Sequence, residues 1–231
     1  MNNSRSKKAV ASRLNPRKEP SQSRSARTVQ AILEGAAHIL EDRGLEGYTT
    51  NEIAARAGVS IGSLYQYFPG KDAVTISLIE RESTTLLDEV TAALRLRDSG
   101  QALRAIIEAA VRNQLRRPEL ARLLDFEEAR LAAVMPGSSN ATAVRAAVIE
   151  FLQRSYRLSA TRSMSVAIDV MEITRALTDA AGRQKAVDPS SLERAIEGAV
   201  LGYLNTVLEP TEPGLGSHQS EPSAAPASHQ D

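Results

Sequence analysis

From about residue 27 to residue 208, apolar side chains return every three or four positions, the period of a helix with one buried face. No sustained alternation of polar and β-branched residues interrupts that rhythm, so no strand is predicted. Prolines and glycines cut the pattern into about nine helices, at 27–43, 50–57, 61–67, 71–97, 101–116, 118–134, 138–158, 163–181 and 189–208. In the first, Ile32, Leu33, Ala36, Ala37 and Leu40 share a face, and Gly44 is placed for a left-handed stop after Arg43. In the last, Asp188 is the N-cap and Pro189 takes the first helical position.

Composition narrows the chemistry. The chain has 231 residues, no cysteine and three histidines that are far apart (His38, His218, His229). Disulfides, thiolate metal sites and cysteine nucleophiles are therefore excluded, and no metal or cofactor site is expected. No apolar run approaches the roughly 20 residues of a membrane span and no secretory signal opens the chain, so a cytoplasmic protein is expected. Net charge is zero, with 28 basic and 28 acidic residues, but it is unevenly spread. Residues 1–28 carry a charge of +7, and residues 1–81 together +4, against −4 for the remainder. Residues 1–26 are expected to be a disordered basic arm, and residues 209–231, rich in Pro, Ser and Ala and without Lys or Arg, a disordered tail.

Four of the eight aromatic residues, Tyr48, Tyr65, Tyr67 and Phe68, fall within 21 positions. Thr49 and Glu52 have the spacing of a capping box, and Tyr48 and Ile53 that of a hydrophobic staple, so a helix start is signalled twice. Gly58 suits a turn that needs positive φ, and Ser60 caps a second short helix ending near Tyr67. Two short helices joined by such a turn form a helix-turn-helix, whose second helix enters the DNA major groove. Small residues (Ser60, Gly62, Ser63) stand where that helix would meet a duplex; a tight crossing inside a core would use them as well. Lys71 opens the following helix, where a cation opposes the dipole by roughly 0.3–1 kcal/mol unless a phosphate lies nearby. Thr50 and the free N–H groups of its helix offer a second phosphate contact.

Residues 27–75 resemble the DNA-binding domain of the tetracycline-repressor (TetR) family. The likeness rests on Ile32-Leu33, Ala36-Ala37, Leu40, Gly44, Tyr48-Thr49-Thr50, Ile53-Ala54, Ala57-Gly58-Val59-Ser60, Gly62-Ser63-Leu64-Tyr65, Tyr67-Phe68 and Lys71, all in one window. It implies an all-α fold, with an N-terminal three-helix DNA-binding domain (27–75) and a C-terminal helical bundle (76–208) for ligand binding and dimerisation. It also implies a homodimer on a palindromic double-stranded operator, released by a small-molecule effector. By position, Thr50, Tyr65, Tyr67 and Lys71 would contact phosphates, and Asn51, Ile61, Gly62, Ser63 and Gln66 would lie nearest the bases. The caps Thr49 and Ser60 complete the DNA-facing set. No Arg or Lys lies between Val59 and Gly70, so the bidentate contact to guanine is absent from the reading helix. Shape readout and contacts by the basic arm are expected to matter more here.

The remaining helices carry no Gly-x-Ser-x-Gly, P-loop or His-Glu-x-x-His, so an enzyme is not expected. Asp125, Glu127 and Glu128 lie at helical spacing from Arg122 and Arg130, which suggests ion pairs on a solvated face. A pocket for an apolar effector is expected among helices 101–158, lined by Leu103, Ile107, Leu123, Phe126, Val144, Val148 and Phe151, though each would serve equally as ordinary core. The dimer interface is expected on the last two helices, at Val170, Ile173, Leu177, Ile196, Val200, Tyr203 and Val207; these stripes also suit the core of one subunit. Ligand filling would then shift the 71–97 helix and separate the reading heads. A repressor is the first reading. An activator, or a DNA binder without an effector, is the alternative.

Overall fold

The computed structural model describes residues 23–131, 139–184 and 187–208; the basic arm up to residue 22 and the tail from 209 lie outside them. Among the described residues all regular structure is helical: α1 (Ser23–Arg43), α2 (Thr50–Arg56), α3 (Ile61–Tyr67), α4 (Lys71–Ala93), α5 (Ser99–Arg116), α6 (Pro118–Leu131), α7 (Ser139–Tyr156), α8 (Ala160–Gly182) and α9 (Pro189–Leu208). No helix among them is long and apolar enough to cross a membrane.

Most helix ends follow from local chemistry. α1 stops at Gly44, whose φ is +62° and whose N–H bonds Leu40 O at 2.9 Å. It starts at Ser23, so the last residues assigned to the arm are helical instead. α4 ends at Ala93, four residues short of Arg97. The reason is Asp98, which accepts the Gln101 N–H at 2.6 Å and so begins α5 at Ser99. Ser159 does the same for α8 through Arg162 N–H, moving its start from 163 to 160. Asp188 accepts the N–H groups of Ser190 and Ser191, both at 3.2 Å, as its spacing predicts.

The core has two main parts. Ile32, Leu33, Ala36, Leu40, Tyr48, Ile53, Leu64, Phe68 and Val74 form the first, within α1–α4. The second joins α5, α7, α8 and α9 through Leu103, Ile107, Phe151, Val166, Ile196 and Leu204. Neither part is sealed from the other. The division expected at 75/76 falls inside α4, which runs unbroken from the first core, at Leu78 and Ile79, to Val90 in the bundle. Leu120, Leu123 and Leu124 of α6 also belong to the first core. Leu123 is therefore packed against the N-terminal unit.

Ion pairs reinforce that seam. Arg117, between α5 and α6, forks onto Glu41 of α1 at 2.7 and 2.5 Å and reaches Glu34 at 3.2 Å. Arg81 of α4 also meets Glu34, at 3.0 Å. Arg130 of α6 bridges Asp72 in the first turn of α4 and the buried Glu127, each at 2.6 Å.

Candidate nucleic-acid interface and ligand cavity

α2 and α3 are set by the chemistry their sequence announces. Thr49 Oγ1 accepts the Glu52 N–H at 3.3 Å, half of a capping box. The reciprocal half is not made. The Glu52 carboxylate instead takes Arg43 at 2.5 Å, a charge-assisted bond that outcompetes a neutral backbone N–H. The staple partners Tyr48 and Ile53 are both fully buried in the first core. Gly58 turns the chain at φ +67°, and Ser60 Oγ accepts the Ser63 N–H at 3.0 Å. Gly35 lets α1 cross α2 closely: a Cβ there would stand 3.0 Å from Ala57 N.

Leu64 and Phe68 anchor α3 by their full burial, and the other face is turned outward. Ser60, Gly62 and Gln66 are exposed, Ile61 is 37% and Tyr65 41% exposed, and Ser63 and Tyr67 are half-buried. On α2, Thr49 and Asn51 are exposed, and half-buried Thr50 holds Oγ1 3.2 Å from the Tyr65 hydroxyl. That contact fixes one α2 and one α3 hydroxyl side by side on the same surface. Exposed Lys71 sits at the start of α4 with Nζ 5.7 Å from the centre of the Tyr48 ring, a cation–π distance. Thr75, buried, lies 3.2 Å from the Tyr48 hydroxyl and 3.1 Å from Lys71 O, so the turn carrying Lys71 is tied to the core. The eleven residues expected to face DNA thus fall on α2, α3 and the start of α4, and the structure leaves none of them fully buried. Gly62 in particular is open: a Cβ there would meet only Ser60 Oγ, at 3.8 Å.

The second feature is a partly open cavity of about 640 Å³ lined by residues of α4–α9. Leu103, Ile107, Val144, Val148 and Phe151 are among the residues that line it. Leu123 and Phe126 do not: Leu123 faces the first core, and Phe126 points outward, 59% exposed. Helix α6 presents Leu120, Ala121, Leu124, Asp125 and Glu128 to the cavity instead, one turn-by-turn face that the apolar count along the sequence could not orient. The acidic cluster is corrected as well. Glu127 is buried against Arg130, Arg122 pairs with Glu119 at 2.6 Å, and Asp125 and Glu128 form part of the cavity wall. Gln114 Nε2 donates to Asp125 at 3.3 Å and to Asp179 at 2.8 Å, spanning α5, α6 and α8.

Burial pushes the Asp125 carboxyl up to about 6; Gln114 opposes the rise and Asp179 adds to it. A carboxyl with a raised folded-state value stabilises the fold most when protonated, and that contribution is lost as pH rises through about 6. Asp125→Asn should therefore stabilise the protein by about 1 kcal/mol at pH 7.5 and have little effect near pH 4. Thermal melts at the two pH values check this, and an equal effect at both would refute the electrostatic cause.

On the outer face of α8, Met164 is 55% and Ile168 49% exposed, while Gly198 and Gly202 of α9 border open space. Of the seven residues expected at a dimer interface, Val170, Ile196 and Val200 are buried within the single chain, and Ile173, Leu177, Tyr203 and Val207 are half-buried. The sequence stripe merged an inward and an outward face.

The outward short helix, the Gly58 turn and Lys71 at the start of α4 describe a helix-turn-helix reader on a helical bundle. The pattern for bacterial regulatory proteins of the tetR family matches residues 32–78. The HTH-type transcriptional activator FasR of Mycolicibacterium smegmatis is 31% identical over 176 residues, covering 73% of this chain and 78% of that one. The chain belongs to the TetR family of DNA-binding transcriptional regulators. The nucleoid occlusion factor SlmA of Haemophilus influenzae is 37% identical over 115 residues, 45% of this chain and 51% of the relative, so the chain spans about half the length of that relative. Among solved structures, the fatty acid degradation regulator FadR of Bacillus halodurans superposes with a TM-score of 0.66 at 17% identity, over 77% of this chain and 96% of that one. That likeness establishes the fold alone.

Proposed function

We propose that the protein is a repressor that binds a palindromic operator as a homodimer and leaves it when a small effector fills the α4–α9 cavity. The observation that carries this reading is the shared wall: Ile79 of α4 and Leu120 and Leu124 of α6 line the cavity and also belong to the core that holds the reader. An effector that fits the cavity in one arrangement of α4 and α6 and not in another shifts the balance between them. Because those helices carry the reader, the spacing of two paired readers changes with them.

The reader contacts DNA through the exposed side of α3. Thr50, Tyr65, Tyr67 and Lys71 meet phosphates, and Asn51, Ile61, Gly62, Ser63 and Gln66 lie nearest the bases. A two-fold partner seated on Met164, Ile168, Gly198 and Gly202 fits this use, since a dimer matches an inverted repeat with half-sites about 34–36 Å apart. An activator is the second reading, favoured by the name of the FasR relative.

Footprinting of the full chain on DNA upstream of its own gene, with a reporter driven by that DNA, tests the proposal. One protected inverted repeat and a reporter that rises on deletion of the gene are expected. A reporter that falls supports the activator, and protection without two-fold symmetry refutes the dimeric operator.

A further inference from the structure

We infer that the effector is an amphipathic cation, an apolar body bearing a protonated primary or secondary amine, with the ammonium held between Asp125 and Glu128. The inference rests on the effector reading above and adds the sign of the ligand's charge.

The cavity wall contains four arginines and four carboxylates, and their partners decide which remain available. Arg116 holds Glu82 at 2.9 Å, and Arg175 holds Glu172 at 2.5 Å. Arg117 is spent on Glu41 and Glu34, outside the cavity. Among the described residues Asp125 and Glu128 have no ion pair within 4 Å; Asp125 accepts a hydrogen bond from the neutral amide of Gln114. Arg145 on α7 is exposed, whereas both carboxylates are half-buried. Asp125 and Glu128 lie three residues apart on α6, so both project from one face of the helix.

Asp125 faces Gln114 of α5, and Asp179 and Arg175 of α8, with Glu128 beside it on α6. Glu128 faces Arg145 of α7, Arg175 of α8 and Glu80 of α4. Burial raises the titration of both carboxyls, and no arginine close by reverses it. An arriving ammonium does reverse it, because it donates hydrogen bonds to ionised oxygens that the folded chain leaves short of a cation. Leu103, Ile107, Val148, Phe151 and Leu204 provide the apolar surface for the rest of the molecule. An anionic headgroup could reach exposed Arg145, but it would have to displace Glu172 to reach Arg175 and would sit beside two carboxylates.

The position of the two groups also bears on release. Asp125 and Glu128 are on the same helix as Leu120 and Leu124, which the reader's core shares. A cation drawn to α6 therefore acts on the helix that joins the two parts of the core.

Isothermal titration of the full chain with decylamine, decanol and decanoate at pH 7.5 tests the inference. Decylamine should bind about tenfold or more tightly than decanol, and decanoate more weakly than either. The double variant Asp125→Asn/Glu128→Gln should lose the preference for the amine and keep its affinity for decanol, which also shows that the variant cavity is intact. Amine affinity of the parent chain should fall as pH drops through about 6, where Asp125 takes a proton, and decanol affinity should not. Decanoate or decanol binding more tightly than decylamine overturns the amine and leaves an effector cavity standing. Failure of all three to bind overturns the effector reading together with the charge assignment.

Discussion

Gly62→Leu should weaken operator binding by about a hundredfold or more and make the protein slightly more stable. The two effects have opposite signs because they arise in different places. In the free protein Gly62 lies in the first turn of α3, and a Cβ there would meet no atom nearer than Ser60 Oγ at 3.8 Å. A leucine is thus accommodated without moving the core, and it relieves the entropy cost of glycine in a helix, about 1 kcal/mol. On DNA the same side chain stands between the start of the helix and the groove floor, where the backbone would otherwise approach the bases. It would either hold the helix away or tilt it, and the proposed Thr50, Tyr65 and Lys71 contacts would be lost with it. Gly62→Ala should show both effects at smaller size. Thermal melts and operator titrations on the same samples check the pair. A leucine variant that melts higher and binds DNA as tightly as the parent would mean that α3 is not the reading helix.

The reader was legible from sequence because its signals are local. Thr49, Gly58, Ser60 and the Leu64–Phe68 pair each act within a few residues, so spacing alone places α2, the turn and α3. The one local signal that failed, the return bond from Glu52, lost to Arg43, nine residues away on another helix. The same limit explains the cavity. That α5 to α7 are amphipathic follows from periodicity, but which side of α6 faces the cavity depends on α4 and α8. Leu123 is turned to the reader's core and Phe126 to the surface, while Asp125, between them in sequence, reaches the cavity. Glu127 and Arg130 have the i, i+3 spacing of a surface pair, and nothing in their neighbours announces that Glu127 is 3% exposed. The last two helices mix inward residues such as Ile196 with outward ones such as Ile168, because each is apolar on more than one side.

Arg117 offers the clearest test of how the two parts of the core are joined. Its side chain is 21% exposed, and its fork on Glu41 is the bidentate geometry in which an arginine–carboxylate pair is strongest. The pair links the turn between α5 and α6 to α1, so it reports on the seam rather than on either unit. Arg117→Met keeps the apolar stem and removes the charge, leaving Glu41 partly desolvated without its guanidinium partner. A loss of about 2 kcal/mol at pH 7 is expected, below the 3–5 kcal/mol of a fully buried pair because water reaches both groups. Arg117→Lys should fall between, since an ammonium cannot reproduce the fork. The hydrogen bond from Arg117 holds the Glu41 carboxyl below its ordinary value of 4.5. A lowered carboxyl stabilises the fold above its unfolded-state value, and that contribution disappears as pH falls through the folded one. Parent and variant should therefore differ at pH 7 and converge as pH falls below the ordinary carboxylate range, a comparison that urea unfolding at neutral and strongly acidic pH makes directly. The variant should still bind operator DNA, because no residue of α3 moves. With the fork gone, motion of α6 is transmitted to α1 less fully, so an effector that occupies the cavity should release the variant from DNA less completely than the parent. A constant difference in stability at every pH would mean that Arg117 acts through packing alone, and full release by the effector would mean that α4 carries the signal without it.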